Sequence, residues 1–142
     1  MKERKQMDHF NEYHDILDQI KDKRLKIEVL REDMKSVRGI RYEDVPKGSG
    51  VPMDLSHYLI EIEELEEEIK ELKKKETEIR KNHEEEISKV EKPNYRRLLR
   101  MHYLMRIDMR KIADALDVTP NHAWKMKKRA EIAFKKANDI KG

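Results

Sequence analysis

Apolar and aromatic residues return along the first part of the chain at alternating intervals of three and four. They are Tyr13, Ile16, Ile20, Ile27, Leu30, Met34 and Val37, with Lys23 interrupting the series and Phe10 and Leu17 widening it. That interval marks one face of a helix and predicts helix over about 7–37. A cleaner series follows through Leu55, Tyr58, Ile62, Leu65, Ile69, Leu72, Glu76, Ile79, His83, Glu86 and Val90, with Ile87 beside it, and predicts helix over 54–91. Asp54 or Ser56 suits its start, and Pro93 ends it or begins the next helix. Both stripes are too narrow for a lone soluble helix, so each needs a partner.

Between them, residues 38–53 contain Gly39, Pro46, Gly48, Ser49, Gly50 and Pro52, a composition that breaks helices and reverses the chain. Two helices of similar length, roughly 45–55 Å at 1.5 Å per residue, around such a loop predict an antiparallel coiled-coil hairpin. The same seams also suit pairing between two chains, so a homodimer stays open. The loop, with Ile40, Tyr42, Val45 and Val51, is read either as a mobile connection or as a partner-binding segment. Lys23, Glu76 and His83 within the seams are expected to set register. No metal site is expected: a lone seam histidine is seldom a ligand, and His9 and His14 do not share a helical face.

After Pro93 the pattern changes. Ile112, Ala113, Leu116, Val118, Ala123 and Met126 fall where two short helices touch across a tight turn, the arrangement of a helix-turn-helix. Ala113 permits a close crossing. Asp117 stands in the turn and tolerates left-handed backbone angles. Thr119 suits the cap of the second helix and Pro120 its first position.

With Thr119 as cap, Ala123, Met126, Ala130 and Phe134 face inward. Asn121, Trp124, Lys125 and Lys128 then share the opposite face, flanked by His122 and Arg129, while Arg110 and Lys111 open the preceding helix. Asn and Lys hydrogen-bond base edges in a major groove, and Lys and Arg neutralise phosphates. These eight residues are the candidate DNA-binding set. The bland reading is a solvated basic face. Trp124 has two readings, a contact on DNA or a core residue folded back on the preceding helix.

Charge sharpens this picture. Of 142 residues, 44 % are charged and 6 % aromatic, which argues against one large core. Mean hydropathy is −1.04, and the regular apolar spacing assigns that polarity to long exposed helices. The net charge of +3 hides an asymmetry: residues 93–142 hold 13 Lys and Arg against 5 acids, and residues 54–92 hold 8 against 14. A polyanion is attracted to the first segment and repelled by the second. No apolar run approaches the roughly 18 residues that span a membrane, and no secretory signal precedes the first helix. Without cysteine there are no disulfides or thiolate metal sites. A cytoplasmic protein without a membrane partner or cofactor is expected.

Phosphate-binding glycine loops, nucleophile elbows and His-Glu-x-x-His motifs are missing from the sequence. The cluster Glu61, Glu63, Glu64, Glu66, Glu67 and Glu68 reads as a solvated helix face, since paired catalytic carboxylates need a concave setting. No enzyme activity is expected.

The segment Tyr95–Lys136 resembles region 4 of bacterial sigma factors. Tyr95-Arg96-Arg97-Leu98-Leu99-Arg100-Met101-His102-Tyr103-Leu104 matches the helix before that family's motif, with its apolar pair, basic residue and aromatic-leucine step. Ile112-Ala113, Leu116-Asp117-Val118-Thr119 and Arg129-Ala130 follow at the family's spacing, and Asn121, His122 and Lys125 stand where relatives contact bases. Pro120 departs from a usual polar residue and Glu131 from a usual Leu, so the relatives' promoter sequence is not carried over. Over residues 37–137 the arrangement is similar to the small sigma-like regulators of phages and prophages of Gram-positive bacteria, the RinA/ArpU-like late-transcription activators. Those have a Glu-rich helix ahead of the sigma-like domain and often an upstream segment like Val37–Gly48.

The resemblance implies a sigma region 4-type helix-turn-helix domain over 93–142, which with the coiled-coil hairpin that the spacing predicts over 1–92 makes an all-α protein. It also implies a sequence-specific regulator of transcription, an activator of late phage genes. Double-stranded DNA is then the expected partner of the C-terminal domain, and the hairpin either dimerises or meets RNA polymerase. Two other functions are compatible with the residues. One is a small terminase-like DNA-packaging component; the other is an interaction module that binds RNA polymerase or a host regulator without touching DNA.

Overall fold

In the computed structural model, residues 6–41 and 53–141 are described, with side chains for 6–36 and 55–141. Among them the chain is helical and no strand occurs. A 3-10 turn, Asp8–Phe10, leads into α1 (Asn11–Arg41), followed by α2 (Met53–Ser88) and α3 (Pro93–Leu99). α3 continues into a π-helical turn, Arg100–Leu104, before α4 (Met109–Leu116) and α5 (Pro120–Ala137).

The helix boundaries differ from those the pattern predicts: α1 starts at Asn11 rather than about 7, and α2 ends at Ser88 rather than 91. α1 runs through Gly39 to Arg41, because one glycine costs a helix only about 1 kcal/mol. α2 begins at Met53, so Ser56 lies inside the helix and does not cap it; the Asp54 side chain is outside the described ones. Tyr42, Val45, Pro46 and Val51 of the expected loop, whether mobile or partner-binding, lie outside the described residues.

The chain divides into two compact units, His14–Glu76 and the described parts of Met1–Tyr13 with Thr77–Gly142. Both divisions fall inside or at the start of the long helices.

In the first unit, Ile16, Ile20, Ile27 and Leu30 of α1 and Ile62, Leu65 and Ile69 of α2 are buried. All seven belong to the seams read from the spacing. The helices run antiparallel: Lys23 pairs with Glu68 at 2.7 Å, while Lys26, further along α1, pairs with Glu61 at 3.6 Å, further back along α2. Arg31 reaches Glu66 at 3.3 Å. Exposed pairs of this kind contribute at most about 1 kcal/mol each, so burial of the seven aliphatic side chains holds this unit together. Lys23 is the half-buried seam residue that reaches a carboxylate at the rim.

The second unit is built around α3–α5. α2 stops at Ser88, and Ile87 and Val90 are buried just as the chain turns. Arg96 donates to the carbonyls of Val90 and Glu91, 2.7 Å each, and so satisfies acceptors that the helix end leaves open. Pro93 occupies the start of α3, where its missing N–H costs nothing. The π turn, closed by Met105 N–H on Arg100 O at 2.9 Å, carries Tyr103 and Leu104 into the core.

The N-terminal segment completes that core. Phe10 is fully buried and stacks on Tyr103 with ring centroids 4.4 Å apart and planes 16° from parallel. It also lies 5.4 Å from the Phe134 ring. The Met7 N–H donates to the Tyr103 hydroxyl at 3.0 Å. Phe10, expected to widen the first helix stripe, therefore sits ahead of α1 and packs on the C-terminal helices. Asn138 closes the unit by donating through Nδ2 to the Glu86 carbonyl at 3.0 Å.

Candidate nucleic-acid interface

α4 and α5 meet across a three-residue turn whose parts each have a local cause. Asp108 caps α4, its Oδ1 accepting the Arg110 N–H at 3.4 Å. The helix ends where Asp117 takes φ 62° and ψ 42°, a left-handed conformation that Asp tolerates better than bulkier residues. The Val118 N–H then reaches back to the Ala113 carbonyl at 3.0 Å. Thr119 Oγ1 accepts the His122 N–H at 3.2 Å, and Pro120 opens α5. Ala113 and Ala123 are both fully buried, with Ile112, Leu116 and Met126 around them. Two methyl side chains at the crossing let the helix backbones approach closely.

Burial along α5 separates its two sides. Ala123, Met126, Lys127, Ala130 and Phe134 are buried. At about 100° per residue, Asn121, Lys125 and Lys128 lie opposite them, with His122 and Arg129 at one edge. All five are exposed. Arg110 and Lys111 are exposed on the first turn of α4.

Trp124 lies between the exposed arc and the buried side of α5. It is half-buried, and the Lys127 ammonium lies 5.7 Å from its ring centroid. Its ring therefore covers a buried cation at the border of the exposed arc.

Lys127 stands outside the candidate DNA-binding set. Its side chain is 1 % exposed and pairs with Glu131 Oε2 at 2.7 Å. The same carboxylate oxygen accepts the Tyr103 hydroxyl. Burial, and then the Glu131 carboxylate, push the Tyr103 hydroxyl far above the ordinary phenol range, against the Met7 N–H, which works the other way. It stays a neutral donor. Glu131 thus has a Lys and a Tyr as partners. The four-residue interval between Lys127 and Glu131 is the signal for the pair; its burial depends on Tyr103.

The sequence model of the family described as Protein of unknown function (DUF1492) matches residues 54–135. The chain belongs to this family. The DUF1492 match takes in nearly all of α2, the whole of α3 and α4, and α5 to Lys135, and so includes every candidate DNA-contacting residue named above. No curated protein and no solved structure matches the chain. Among the described residues, no helix is long and apolar enough to cross a membrane.

Proposed function

We propose that this DUF1492 protein is a sequence-specific DNA-binding regulator of transcription, reading the major groove with α5 from its Thr119 cap. In this reading α4–Asp117–α5 is a helix-turn-helix of the sigma region 4 type, and the protein acts on late phage genes as an activator. The observation that carries the proposal is the exposed arc Asn121, His122, Lys125, Lys128 and Arg129. It lies on the side of α5 opposite its buried residues and starts at the first turn.

The chemistry divides the arc into two kinds of contact. Asn121, His122 and Lys125 lie in the first turns, the part of a recognition helix that meets base edges. Lys128, Arg129, Arg110 and Lys111 are cations suited to phosphates, which position the protein without reading sequence. The acidic α2 repels a duplex, which restricts DNA to the C-terminal helices.

The test is fluorescence anisotropy with a preferred duplex and a scrambled one. Asn121→Ala and Lys125→Ala should lower affinity for the preferred duplex more than for the scrambled one. Equal losses on both would remove the base-reading role. If no duplex is retained at physiological salt, the protein is an interaction module that holds RNA polymerase or a host regulator. A large ring-like assembly in sedimentation would instead favour a packaging component.

A further inference from the structure

We propose that His9, His83 and Glu86 form a binding site for a divalent transition-metal ion of borderline softness, with zinc as the natural probe. His9 comes from the 3-10 turn before α1; His83 and Glu86 lie three apart on α2 and so on one helix face. His9 Nε2 and His83 Nδ1 each stand 2.8 Å from the same oxygen, Glu86 Oε1. One potential ligand atom from each residue lies within 4.8 Å of the other two.

The donor set selects the class of ion. Two imidazole nitrogens and one carboxylate oxygen suit zinc and its first-row neighbours, whereas calcium and magnesium prefer oxygen alone. A tetrahedral ion with bonds of about 2.0–2.2 Å needs its ligand atoms roughly 3.4 Å apart. The 2.8 Å pairs therefore open by about half an ångström to admit one.

The surroundings keep the ligands in place. The His83 side chain is 9 % exposed, against 28 % and 27 % for His9 and Glu86. Phe10 packs on both imidazoles, at centroid distances of 5.4 Å for His9 and 4.5 Å for His83. Phe134 lies 5.4 Å from His9 and Tyr13 lies 5.9 Å from His83. The rings restrict the imidazoles, while the half-exposed His9 and Glu86 leave a side through which an ion enters and a water completes the shell. Three protein ligands with one open position are compatible with either a structural clamp or an exchangeable ion. The clamp would tie the segment before α1 to α2.

The experiment is zinc competition against a chromogenic chelator on the full chain, read beside thermal melting with and without zinc. The prediction is one zinc per chain and a higher Tm with zinc. His9→Gln and Glu86→Gln should each weaken binding at least about tenfold and abolish the Tm shift. His57→Gln, at an exposed histidine in the other unit, should leave both unchanged. Circular dichroism of the metal-free variants separates a lost ligand from a lost fold, and His9→Gln, on a short turn, is the variant least able to unfold the helices. Absence of zinc binding in the wild type would overturn the proposal, as would equal binding by a folded His9→Gln protein.

Discussion

Lys127 and Glu131 form an ion pair at 2.7 Å with the lysine side chain 1 % exposed, one turn apart on the helix proposed to read DNA. A buried pair of this kind is stable only as a pair. Removing one partner leaves an uncompensated charge and costs about 3–5 kcal/mol, whereas replacing both with apolar residues of similar volume is often neutral. Lys127→Met and Glu131→Leu should each lower the stability of the chain by several kcal/mol. The double variant should recover most of that loss. Urea titration of the four proteins measures it, and additive losses would show that the two side chains act independently.

Tyr103 extends the same network to the N-terminal segment, since its hydroxyl donates to Glu131 and accepts from the Met7 N–H. Tyr103→Phe leaves two buried groups without that partner and should cost about 1–3 kcal/mol. Hydrogen exchange should show the Met7 amide losing protection while the amides of α5 keep theirs. Unchanged protection at Met7 would mean that Phe10, rather than the hydroxyl, holds the segment.

The seams and the α4–α5 turn were legible in the sequence because each depends on neighbours a few residues away. Ile16, Ile20, Ile27 and Leu30 face Ile62, Leu65 and Ile69 as their spacing requires. Thr119 and Asp117 act where the local chemistry places them. What escaped depends on contacts between distant segments. Phe10 reads as one more apolar residue of the first helix, and only the fold brings it against Tyr103 and Phe134. Lys127 reads as one of many surface lysines until Glu131 and Tyr103 enclose it. The convergence of His9 with His83 and Glu86 had no sequence signal, because residues drawn from two separate helical segments meet at no fixed spacing.

The close crossing at the turn makes a direct prediction. Ala113 is fully buried, so Ala113→Leu should overpack the crossing and cost about 1–3 kcal/mol or more. Thr119→Ala removes the cap hydrogen bond to the His122 N–H and should cost about 1 kcal/mol. Thermal melting of both variants checks the order. A Thr119→Ala loss larger than that of Ala113→Leu would mean that the helices are not held by their close approach.

Glu86 gives a dependence on pH whose sign follows from its surroundings. Burial disfavours the charged carboxylate, but hydrogen bonds from His83 and His9, with their charges, outweigh it and hold the carboxyl below its ordinary 4.5. A group depressed on folding stabilises the fold above its unfolded value, and that contribution is lost as pH falls through the folded value. The metal-free protein should therefore lose stability as pH drops below about 4.5. Glu86→Gln should show a flatter stability curve in that window than the wild type. Parallel curves for the two proteins between pH 6 and the acid limit, read by urea titration, would exclude this contribution.

Salt separates the two proposed kinds of DNA contact. Lys128→Ala and Arg110→Ala each remove a phosphate-neutralising cation, so they should weaken binding on all duplexes and reduce the salt slope by about 1. A variant that weakens binding with no change of slope would place its side chain away from the backbone.

The most direct measurement is binding of the purified protein to duplex fragments from its own genomic neighbourhood against random duplex, at about 150 mM salt. The account predicts a preferred fragment whose footprint is protected and whose preference is lost in Asn121→Ala. Equal binding to every fragment, or none, would contradict a sequence-reading role for α5.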